Sequence, residues 1–419
     1  MINISNLIIL FIVIIIIFYI YIRIKFRFWS IQPVFHFYDV YYWFKNVGII
    51  RKELPEKNRY TNFKNITFIS FEKMISNKNT FNKRIKEFTF LIQNHYLKSK
   101  DKDNDFHFNP KEENIIPYFK NHFADCYFSF YYEDILLEDI NNKSLIPDKK
   151  LIGVMTSRPL HVYIQGKLLD VYYVDYLCVD KSHRNKNIAP QIIQTHEYLQ
   201  SHSNKKIAVS LFKREDKITG IVPICIYDTV CFCMKKWSIP LKLPINLKLL
   251  KCDSVNMFYL YNFIKEHKNK WEMYILPEIS NLIELVQTKN LFIFMLMVET
   301  EILAAYFFRK VCTSISIKKE VLSCFASIQG ENKLLNNEMF ILGFKNSLYS
   351  IVKNEYDKDN DKNKGSKFNY LNIENISNNN LIINNLLIKT SPMCKFPTAY
   401  FFYNFAYQTF SSNKVLIIN

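Results

Sequence analysis

The amino-acid sequence predicts an α+β protein built from two similar halves behind a single N-terminal membrane helix. Residues 7–22 form an unbroken apolar run, and strand and helix patterns then alternate along the chain in two comparable series. A proline-marked segment at 237–244 separates the two series. We therefore predict a transmembrane anchor over 1–26, a first half over 27–240 and a second half over 241–419.

The N-terminal apolar run approaches the roughly 20 residues that a helix needs to span a bilayer. Arg23, Lys25 and Arg27 follow it, and no charged side chain precedes it. The positive-inside rule then predicts a single-pass membrane protein with the body of the chain on the cytoplasmic side. A buried core helix is the alternative interpretation, although β-branched residues on all sides of a helix suit lipid better.

The composition limits the classes of partner. The net charge of +17 fits a lysine-rich surface, or attraction to an anionic ligand or lipid. The basic residues are scattered without a nucleic-acid-binding motif, so we expect no nucleic-acid partner. Nine cysteines lie mostly in apolar runs, and the C-x-C at 231–233 has no second pair at zinc-ligand spacing. We therefore expect buried free thiols and no metal.

Most elements follow from periodicity and turn signals. In the first half, strands are predicted at 64–71, 125–132, 151–157 and 168–179, and helices at 71–96 and 189–201. In the second half, helices are predicted at 255–267, 279–288 and 336–354. Strands are predicted there at 291–298, 302–308, 321–328, 370–373 and 399–405. The polar stretches at 98–105 and 357–367 are predicted as loops.

The segment at 174–191 carries the clearest functional signal. A buried strand is followed at once by a turn with Lys181, Arg184 and Lys186, and then by a helix. The first N–H groups of a helix lack intrahelical acceptors, and the helix dipole favours negative charge there. The junction therefore predicts an anion site suited to the diphosphate of coenzyme A. A solvated basic turn is the alternative.

Within this segment, Y-L-C-V-D-K-S-H-R-N-K-N-I-A-P at 176–190 resembles the signature of the N-myristoyltransferases, which consist of two fused acetyltransferase-like (GNAT) halves. Small-acyl members of that fold usually carry a [QR]-x-x-G-x-[GA] loop, whereas R-N-K-N-I-A has no glycine. F-W-S-I-Q-P-V at 28–34 and the tail at 399–419 also resemble family segments. The resemblance implies tandem GNAT-like halves with mixed central sheets and flanking helices.

The resemblance further implies protein N-myristoylation, with myristoyl-CoA as the acyl donor and no metal. The backbone N–H groups of Tyr176 and Leu177 would form the oxyanion hole. The terminal carboxylate of Asn419 would take a proton from the ammonium of the substrate's N-terminal glycine. The residues expected to contact acyl-CoA are Phe28, Trp29, Cys178, Val179, Arg184, Asn185, Lys186, Asn187, Ile188, Ala189 and Pro190.

The expected partners are proteins with an N-terminal glycine and, through the anchor, a membrane; the enzyme is expected to be a monomer. The residues expected to line the peptide groove are Tyr96, Asp103, Asp105, Phe106 and Phe108. For the two aspartates an ordinary charged loop is the alternative, and for the two phenylalanines it is core packing.

The sequence departs from the family pattern at three places. The stretch F-C-M-K-K-W-S at 232–238 lacks an expected histidine, and Lys395 stands where an aspartate is expected. The tail after Lys414 is one residue short. Two other functions therefore remain open, namely transfer of a short acyl group and non-catalytic binding of acyl-CoA or peptide.

Overall fold

The computed structural model describes residues 4–44, 48–97, 106–138, 145–215, 220–315, 319–355 and 367–419. The predicted loops at 98–105 and 357–367 lie outside these residues, except for Lys367. The helices are α1 Ile4–Lys25, α2 Val40–Phe44, α3 Phe71–Ile75, α4 Lys78–His95, α5 Glu112–Ile115, α6 Ile188–Ser203, α7 Met257–Glu266, α8 Ile279–Gln287, α9 Asn337–Asn354 and α10 Asn379–Lys389.

The strands account for most of the remaining chain. They are β1 Ile66–Ser70, β2 Phe106–Phe108, β3 Tyr127–Glu138, β4 Leu145–Ile164, β5 Lys167–Val179, β6 Ser210–Glu215, β7 Cys225–Cys233, β8 Leu247–Lys251, β9 Met273–Leu276, β10 Leu291–Val298, β11 Glu301–Ile315, β12 Glu320–Gln329, β13 Phe368–Glu374, β14 Cys394–Tyr403 and β15 Val415–Ile417.

One continuous sheet of 15 strands passes through both predicted halves. Its main order is β1-β3-β4-β5-β6-β14-β7-β13-β12-β11-β10-β8, while β9 joins β4 to β15 and β2 pairs with β11. Most pairs are antiparallel, but β5/β6, β12/β13 and β9/β15 are parallel. The sheet is therefore mixed, as predicted, and the α+β class is confirmed.

Two strand–helix–strand units repeat the same arrangement. In the first, β5 leads through α6 to the parallel strand β6, and in the second β12 leads through α9 to the parallel strand β13. Strand β14 lies between β6 and β7, and β7 in turn pairs with β13. The two series are thus joined by strands that cross between them, which the sequence patterns did not indicate.

Apolar faces of the helices cover the sheet. One large cluster packs α4, α7 and α8 against it, with Phe88, Leu260 and Leu285 buried. A second cluster packs α9 and α10 against strands β10–β13, with Phe344 and Ile382 buried. Helix α10 was not predicted, because its N-N-L-I-I-N-N-L-L-I-K sequence is rich in asparagine, a weak helix former. Its burial supplies the stability that propensity does not.

Helix α1 has the length and composition of a membrane span. Its most apolar 18-residue window has a mean hydropathy of 3.1. Every described side chain in it is exposed except that of Ile22, so the helix is not part of the core. The hydroxyls of Tyr19 and Tyr21 accept hydrogen bonds from Arg23 and Lys25 one turn later.

Candidate functional site

The junction between β5 and α6 begins at a β-bulge. Strand β5 pairs with β4 from Lys167 to Asp175, and the register then shifts so that Cys178 faces Val154. Tyr176 in the bulge has a positive φ of 48°. The parallel pairing with β6 ends at Val174. The bulge therefore lies where β5 leaves β6, which frees backbone groups from the sheet.

The two predicted oxyanion donors differ in their present partners. The Tyr176 N–H donates to Oδ1 of Asp175 at 2.9 Å, so it is occupied in this conformation. Leu177 lies in the bulge without a register partner on β4, and its side chain is 36% exposed. The Tyr176 amide would therefore need a rearrangement of Asp175 before it could bind a ligand.

The next two predicted residues return to the sheet. Cys178 and Val179 pair with Val154 and Gly153 of β4 and are buried. Burial raises the pKa of the Cys178 thiol to about 12, so the thiol is protonated and unreactive at neutral pH. Contacts from these residues to a ligand would have to come from their main chains.

The basic loop between β5 and α6 adopts two left-handed conformations without glycine. Asn185 and Asn187 have φ values of 67° and 59°, and both are exposed. Asparagine tolerates this region better than other residues with a β-carbon. The two asparagines therefore take the place of the glycine that small-acyl members of the fold usually carry in this loop.

The loop cations are not equivalent. The Arg184 guanidinium donates to the main-chain oxygens of His95 and Val179, and the side chain is half-buried. Lys186 is exposed. Arg184 therefore fastens the loop to the end of α4, whereas Lys186 is free to meet an anion. Direct contact of Arg184 with phosphate stays a prediction.

The first turn of α6 presents unused donors. Asn187 provides no side-chain cap. Within the described residues, the N–H groups of Ile188 and Ala189 have no acceptor, and Pro190 has no N–H. Because α6 has 16 residues, its dipole is well developed at this end. The turn can therefore bind an anion.

A groove of about 610 Å³ opens beside this turn. One wall is formed by Asn187, Pro190 and Gln191, and the other by residues 24–29 with Arg59 and Tyr60. Lys25, Arg27 and Arg59 therefore belong to the lining of the same groove as the α6 N-terminus. A volume of this size is within the range of ligand pockets.

The aromatic residues predicted at the adenine end line this groove. Phe28 is buried edge-to-face against Tyr60 at 5.2 Å between ring centroids. Trp29 stacks on Phe212 of β6 at 6.0 Å. Their rings therefore form a fixed apolar side of the groove.

Gln32, in the same N-terminal segment, connects this segment to helix α6 and to strand β14. Its Nε2 donates to Gln194 of α6 at 3.2 Å, and its Oε1 accepts from the Tyr403 hydroxyl of β14 at 2.6 Å. No role was predicted for Gln32, although it lies within the F-W-S-I-Q-P-V segment. The available signal was a glutamine in a mostly apolar segment, since a buried amide needs partners.

The last residue lies in the interior. Asn419 is 1% exposed and follows β15, which pairs with β9. Nη1 of Arg309 lies 3.2 Å from the main-chain oxygen of Asn419 and 3.2 Å from its Oδ1. Nδ2 of Asn419 donates to the Tyr400 hydroxyl at 3.3 Å. A carboxylate at this position would face a guanidinium.

Glu374 is also buried, and both of its carboxylate oxygens accept hydrogen bonds. It accepts from Lys213 at 3.1 Å, from Arg309 at 3.3 Å and from the Tyr227 hydroxyl. Burial acts to raise its pKa, but Lys213 and Arg309 outweigh burial and hold the pKa below its usual value. Sequence reasoning missed this cluster, because its members are brought together only by strand order.

The predicted peptide-groove residues are partly described. The Tyr96 ring lies tilted against those of Phe108 and Tyr176, with centroid distances of 5.2 Å and 6.0 Å. Asp103 and Asp105 lie outside the described residues, as does the side chain of Phe106. The structure therefore brings two of these predicted residues beside the bulge.

Lys395, which stands where the family pattern has an aspartate, forms an ion pair. Its Nζ lies 2.9 Å from Oδ2 of Asp228 on the neighbouring strand β7, and both side chains are largely exposed. Its charge is therefore shared with Asp228 and is not free for a substrate. No group of three or more potential metal ligands occurs in the part of the chain that the structure describes, and all nine cysteines are free.

Comparison with known proteins gives one consistent picture. Residues 57–225 match the family model "Myristoyl-CoA:protein N-myristoyltransferase, N-terminal domain". A relative from Amsacta moorei entomopoxvirus, provisionally named glycylpeptide N-tetradecanoyltransferase, is 24% identical over 241 residues, covering 54% of this chain and 79% of the relative.

Two solved structures share the fold. N-myristoyltransferase of Saccharomyces cerevisiae with bound myristoyl-CoA matches with a TM-score of 0.66 at 13% identity, over 93% of this chain and 94% of that one. A tandem GNAT protein from the clavulanic acid biosynthesis pathway matches with a TM-score of 0.50 at 7% identity, over 82% of this chain and 100% of that one. At these identities the similarity establishes the fold alone.

Proposed function

Because this chain belongs to the myristoyl-CoA:protein N-myristoyltransferase family, we propose that it transfers a long-chain acyl group from acyl-CoA to the N-terminal glycine of proteins. The predicted family resemblance is thereby confirmed. One observation carries the proposal for this chain's own residues. The β5–α6 junction leaves unpaired N–H donors beside a groove whose other wall is basic and aromatic.

Acyl-CoA binding follows from that junction. The N–H groups of Ile188 and Ala189, with Lys186, would hold the diphosphate, and Asn185 and Asn187 would set the loop conformation. Phe28 and Trp29 would pack on the adenine end. Cys178, Val179 and Pro190 would shape the path from the diphosphate to the bulge. Arg184 would act mainly by fastening the loop.

Transfer would occur at the bulge. The Leu177 N–H, joined by the Tyr176 N–H once Asp175 turns away, would stabilise the oxyanion of the thioester carbonyl. The carboxylate of Asn419 would accept one proton from the glycine ammonium, so that the neutral amine attacks the carbonyl carbon and the coenzyme A thiolate leaves. Arg309 would hold the carboxylate in position.

The peptide would approach over the aromatic side of the bulge. Tyr96 lies beside Tyr176, and Phe108 lies beside Tyr96, so both rings would contact the first residues of the substrate. Asp103, Asp105 and Phe106 stay proposed members of this groove.

We also propose a three-part organisation for a monomeric enzyme. Residues 1–26 would anchor the chain in a membrane, 27–240 would form the acyl-CoA-binding half, and 241–419 would form the peptide-binding half. The exposure of α1 and the three cations that follow its apolar run support a single span with the body on the cytoplasmic side.

The experiment uses the full chain in detergent with myristoyl-CoA and a glycine-initiated peptide. Wild type is compared with a variant that carries a few residues added after Asn419, and the matched control carries the same residues before Met1. We expect the C-terminal extension to lower transfer by on the order of a hundredfold or more, because it removes and displaces the carboxylate. Myristoyl-CoA binding should be unchanged.

Each result has a defined meaning. If wild type does not bind myristoyl-CoA, the proposed function is wrong. If wild type binds it but transfers nothing to any glycine-initiated peptide, the chain is a binding protein rather than an enzyme. If the extended chain is as active as wild type, the proposed base is wrong although the function stands.

A further inference from the structure

A short aromatic segment beside the end of α1 leaves apolar side chains exposed. Residues 35–44 read F-H-F-Y-D-V-Y-Y-W-F and end in the helix α2. Val40, Tyr41 and Phe44 lie on one side of α2, here called the α2 face, and all three are exposed. Phe44 is 88% exposed. Single exposed apolar residues are common on proteins, but a cluster of them marks an interaction surface.

The other side of α2 is packed on the body of the protein. Phe35 is buried, and its ring centroid lies 5.5 Å from that of Tyr42 and 5.1 Å from that of Trp43. The main-chain oxygen of Phe35 accepts from the Val222 N–H at 2.7 Å. Nε1 of Trp43 donates to the main-chain oxygen of Phe37 at 3.0 Å. These contacts fix α2 with the α2 face turned outward.

The same segment contacts α1 within its apolar run. The ring of Tyr38 lies edge-to-face with that of Phe18, at 6.4 Å between centroids. Arg23, the first cation after the run, follows Phe18 by five residues, or about 7.5 Å along a helix. With α1 across a bilayer and Arg23 at the headgroups, Tyr38 lies in the interfacial layer. Tryptophan and tyrosine are enriched at this level, because their rings are apolar and carry one polar group.

The charges near this level are mostly positive. Arg23, Lys25 and Arg27 are exposed, and Nη2 of Arg59 lies 3.4 Å from the main-chain oxygen of Arg27. The carboxylate of Asp39 is used locally, since its Oδ2 accepts from the main-chain N–H of His36 at 2.8 Å. A basic surface of this kind complements the anionic headgroups of a lipid bilayer.

We propose that the α2 face inserts into the interfacial layer of the bilayer that α1 spans, as a second membrane contact of the body. The inference rests on the proposed anchor and is independent of acyl transfer. A protein partner would also cover apolar residues, but it would not account for their place level with the end of α1. Two contacts would fix the orientation of the body, with the groove-lining residues 24–29 at the headgroups.

The test places the full chain in nanodiscs of phosphatidylcholine and phosphatidylglycerol whose acyl chains are brominated near the headgroups. Bromine quenches the fluorescence of tryptophans that it reaches at short range. The chain has four tryptophans, of which Trp43 lies in α2. We expect Trp43→Phe to lose most of the bromine-dependent quenching. Trp237→Phe is the matched control and should keep it, because Trp237 packs near Phe232 in the second half.

A charge on the α2 face should release it from the bilayer. Phe44→Asp places a carboxylate among apolar chains and anionic headgroups, so we expect its bromine-dependent quenching to fall to the level of Trp43→Phe. Leu241→Asp is the matched control, because Leu241 is 80% exposed but lies in the segment 237–244 of the second half. It should be quenched as wild type is. An unchanged melting temperature shows that each variant is folded.

The outcomes separate this inference from the proposals on which it depends. If wild type shows no bromine-dependent quenching, or if Trp43→Phe or Phe44→Asp keeps it in full, the interfacial contact is wrong. If alkaline carbonate extracts wild type from vesicles, the proposed anchor fails, whereas quenching of Trp43 would still support the α2 face. Transfer activity in detergent is measured separately and decides the proposed function alone. Should Phe44→Asp not fold, Val40→Asp is measured in its place and must show the same loss.

Discussion

The β5–α6 junction and the interior around Glu374 are both rich in polar groups, but they use them in opposite ways. At the junction, the N–H groups of Ile188 and Ala189 have no acceptor within the described residues, and Lys186 is exposed. Around Glu374, the carboxylate is bonded to Lys213, Arg309 and Tyr227. The first region has donors without acceptors, whereas the second has its charges matched.

This difference separates ligand binding from structural support. At a helix N-terminus that faces a groove, the free N–H groups can donate to water until an anion binds. A buried charge cannot do so, because desolvation must be offset by partners inside the protein. Substitutions at the junction should therefore alter affinity, and substitutions around Glu374 should alter stability.

Replacing Glu374 should have the largest effect. We expect Glu374→Gln to lower the free energy of unfolding by about 3–5 kcal/mol, because Lys213 and Arg309 lose their counter-charge in the interior. Since the pKa of Glu374 is lowered in the folded state, its contribution is present above the usual carboxyl pKa and is lost as the pH falls. Urea unfolding of both proteins at neutral pH measures the difference.

The matched control for this change is Asp228→Asn, which breaks the exposed pair with Lys395 and should cost no more than about 1 kcal/mol. Equal losses in the two variants would contradict the distinction between matched interior charges and surface pairs.

Glu197 provides an intermediate case, since it is buried in α6 and, among the described residues, accepts hydrogen bonds from the hydroxyls of Ser201 and Ser210 without an adjacent cation. Burial raises its pKa from 4.5 to about 7. The unfolded chain therefore releases this proton at lower pH, so stability falls between about pH 4.5 and 7 and then levels off. Glu197→Gln should remove this fall, which amounts to about 3 kcal/mol.

The measurement is the difference in unfolding free energy between wild type and Glu197→Gln at pH 5, 6, 7 and 8. A difference that stays constant across this series would show that Glu197 ionises normally in the folded protein.

At the junction, Asn187 tests whether the left-handed conformation supports binding. Valine at a φ of 59° is strained by about 1–2 kcal/mol, so Asn187→Val should displace the first turn of α6. We expect the dissociation constant for myristoyl-CoA to rise roughly five- to thirtyfold. Asn187→Gly adopts the same conformation without strain and should bind almost as wild type does. Similar affinities for the valine and glycine variants would refute the conformational argument.

The smallest expected effect comes from Lys186. Lys186→Ala should weaken myristoyl-CoA binding by about 0.2–1 kcal/mol at low ionic strength, because an exposed cation acts through solvent. The loss should disappear near 1 M salt, where screening extends over only about 3 Å. Lys248→Ala, on the edge strand β8, is the control and should bind as wild type does at every salt concentration. A salt-independent loss would indicate a packing role for Lys186.

Most of the fold could be predicted where periodicity and burial agree. The helix predicted at 336–354 is α9, Asn337–Asn354, and the helix predicted at 189–201 lies within α6. Strand order could not be predicted, because the insertion of β14 between β6 and β7 depends on pairing between distant segments. Short strands such as β15 lack a pattern of their own, and their partners define them.

The candidate site likewise has a part that could be predicted from the sequence and a part that could not. The junction could be predicted because its strand, basic loop and helix are contiguous, so local sequence carries the signal. The partners of Glu374 could not, because Lys213 lies 161 positions and Tyr227 147 positions away along the chain. The hydrogen bonds from Arg184 to main-chain carbonyls could not be predicted either. The sequence of a basic loop does not show which of its cations form hydrogen bonds within the protein.

The end of the N-terminal helix lines part of the groove, through Ile24 and Lys25. Removing that helix to obtain a more soluble protein would therefore also remove part of the groove that is proposed to bind the acyl donor. A shortened chain that proved inactive could be mistaken for a degenerate enzyme.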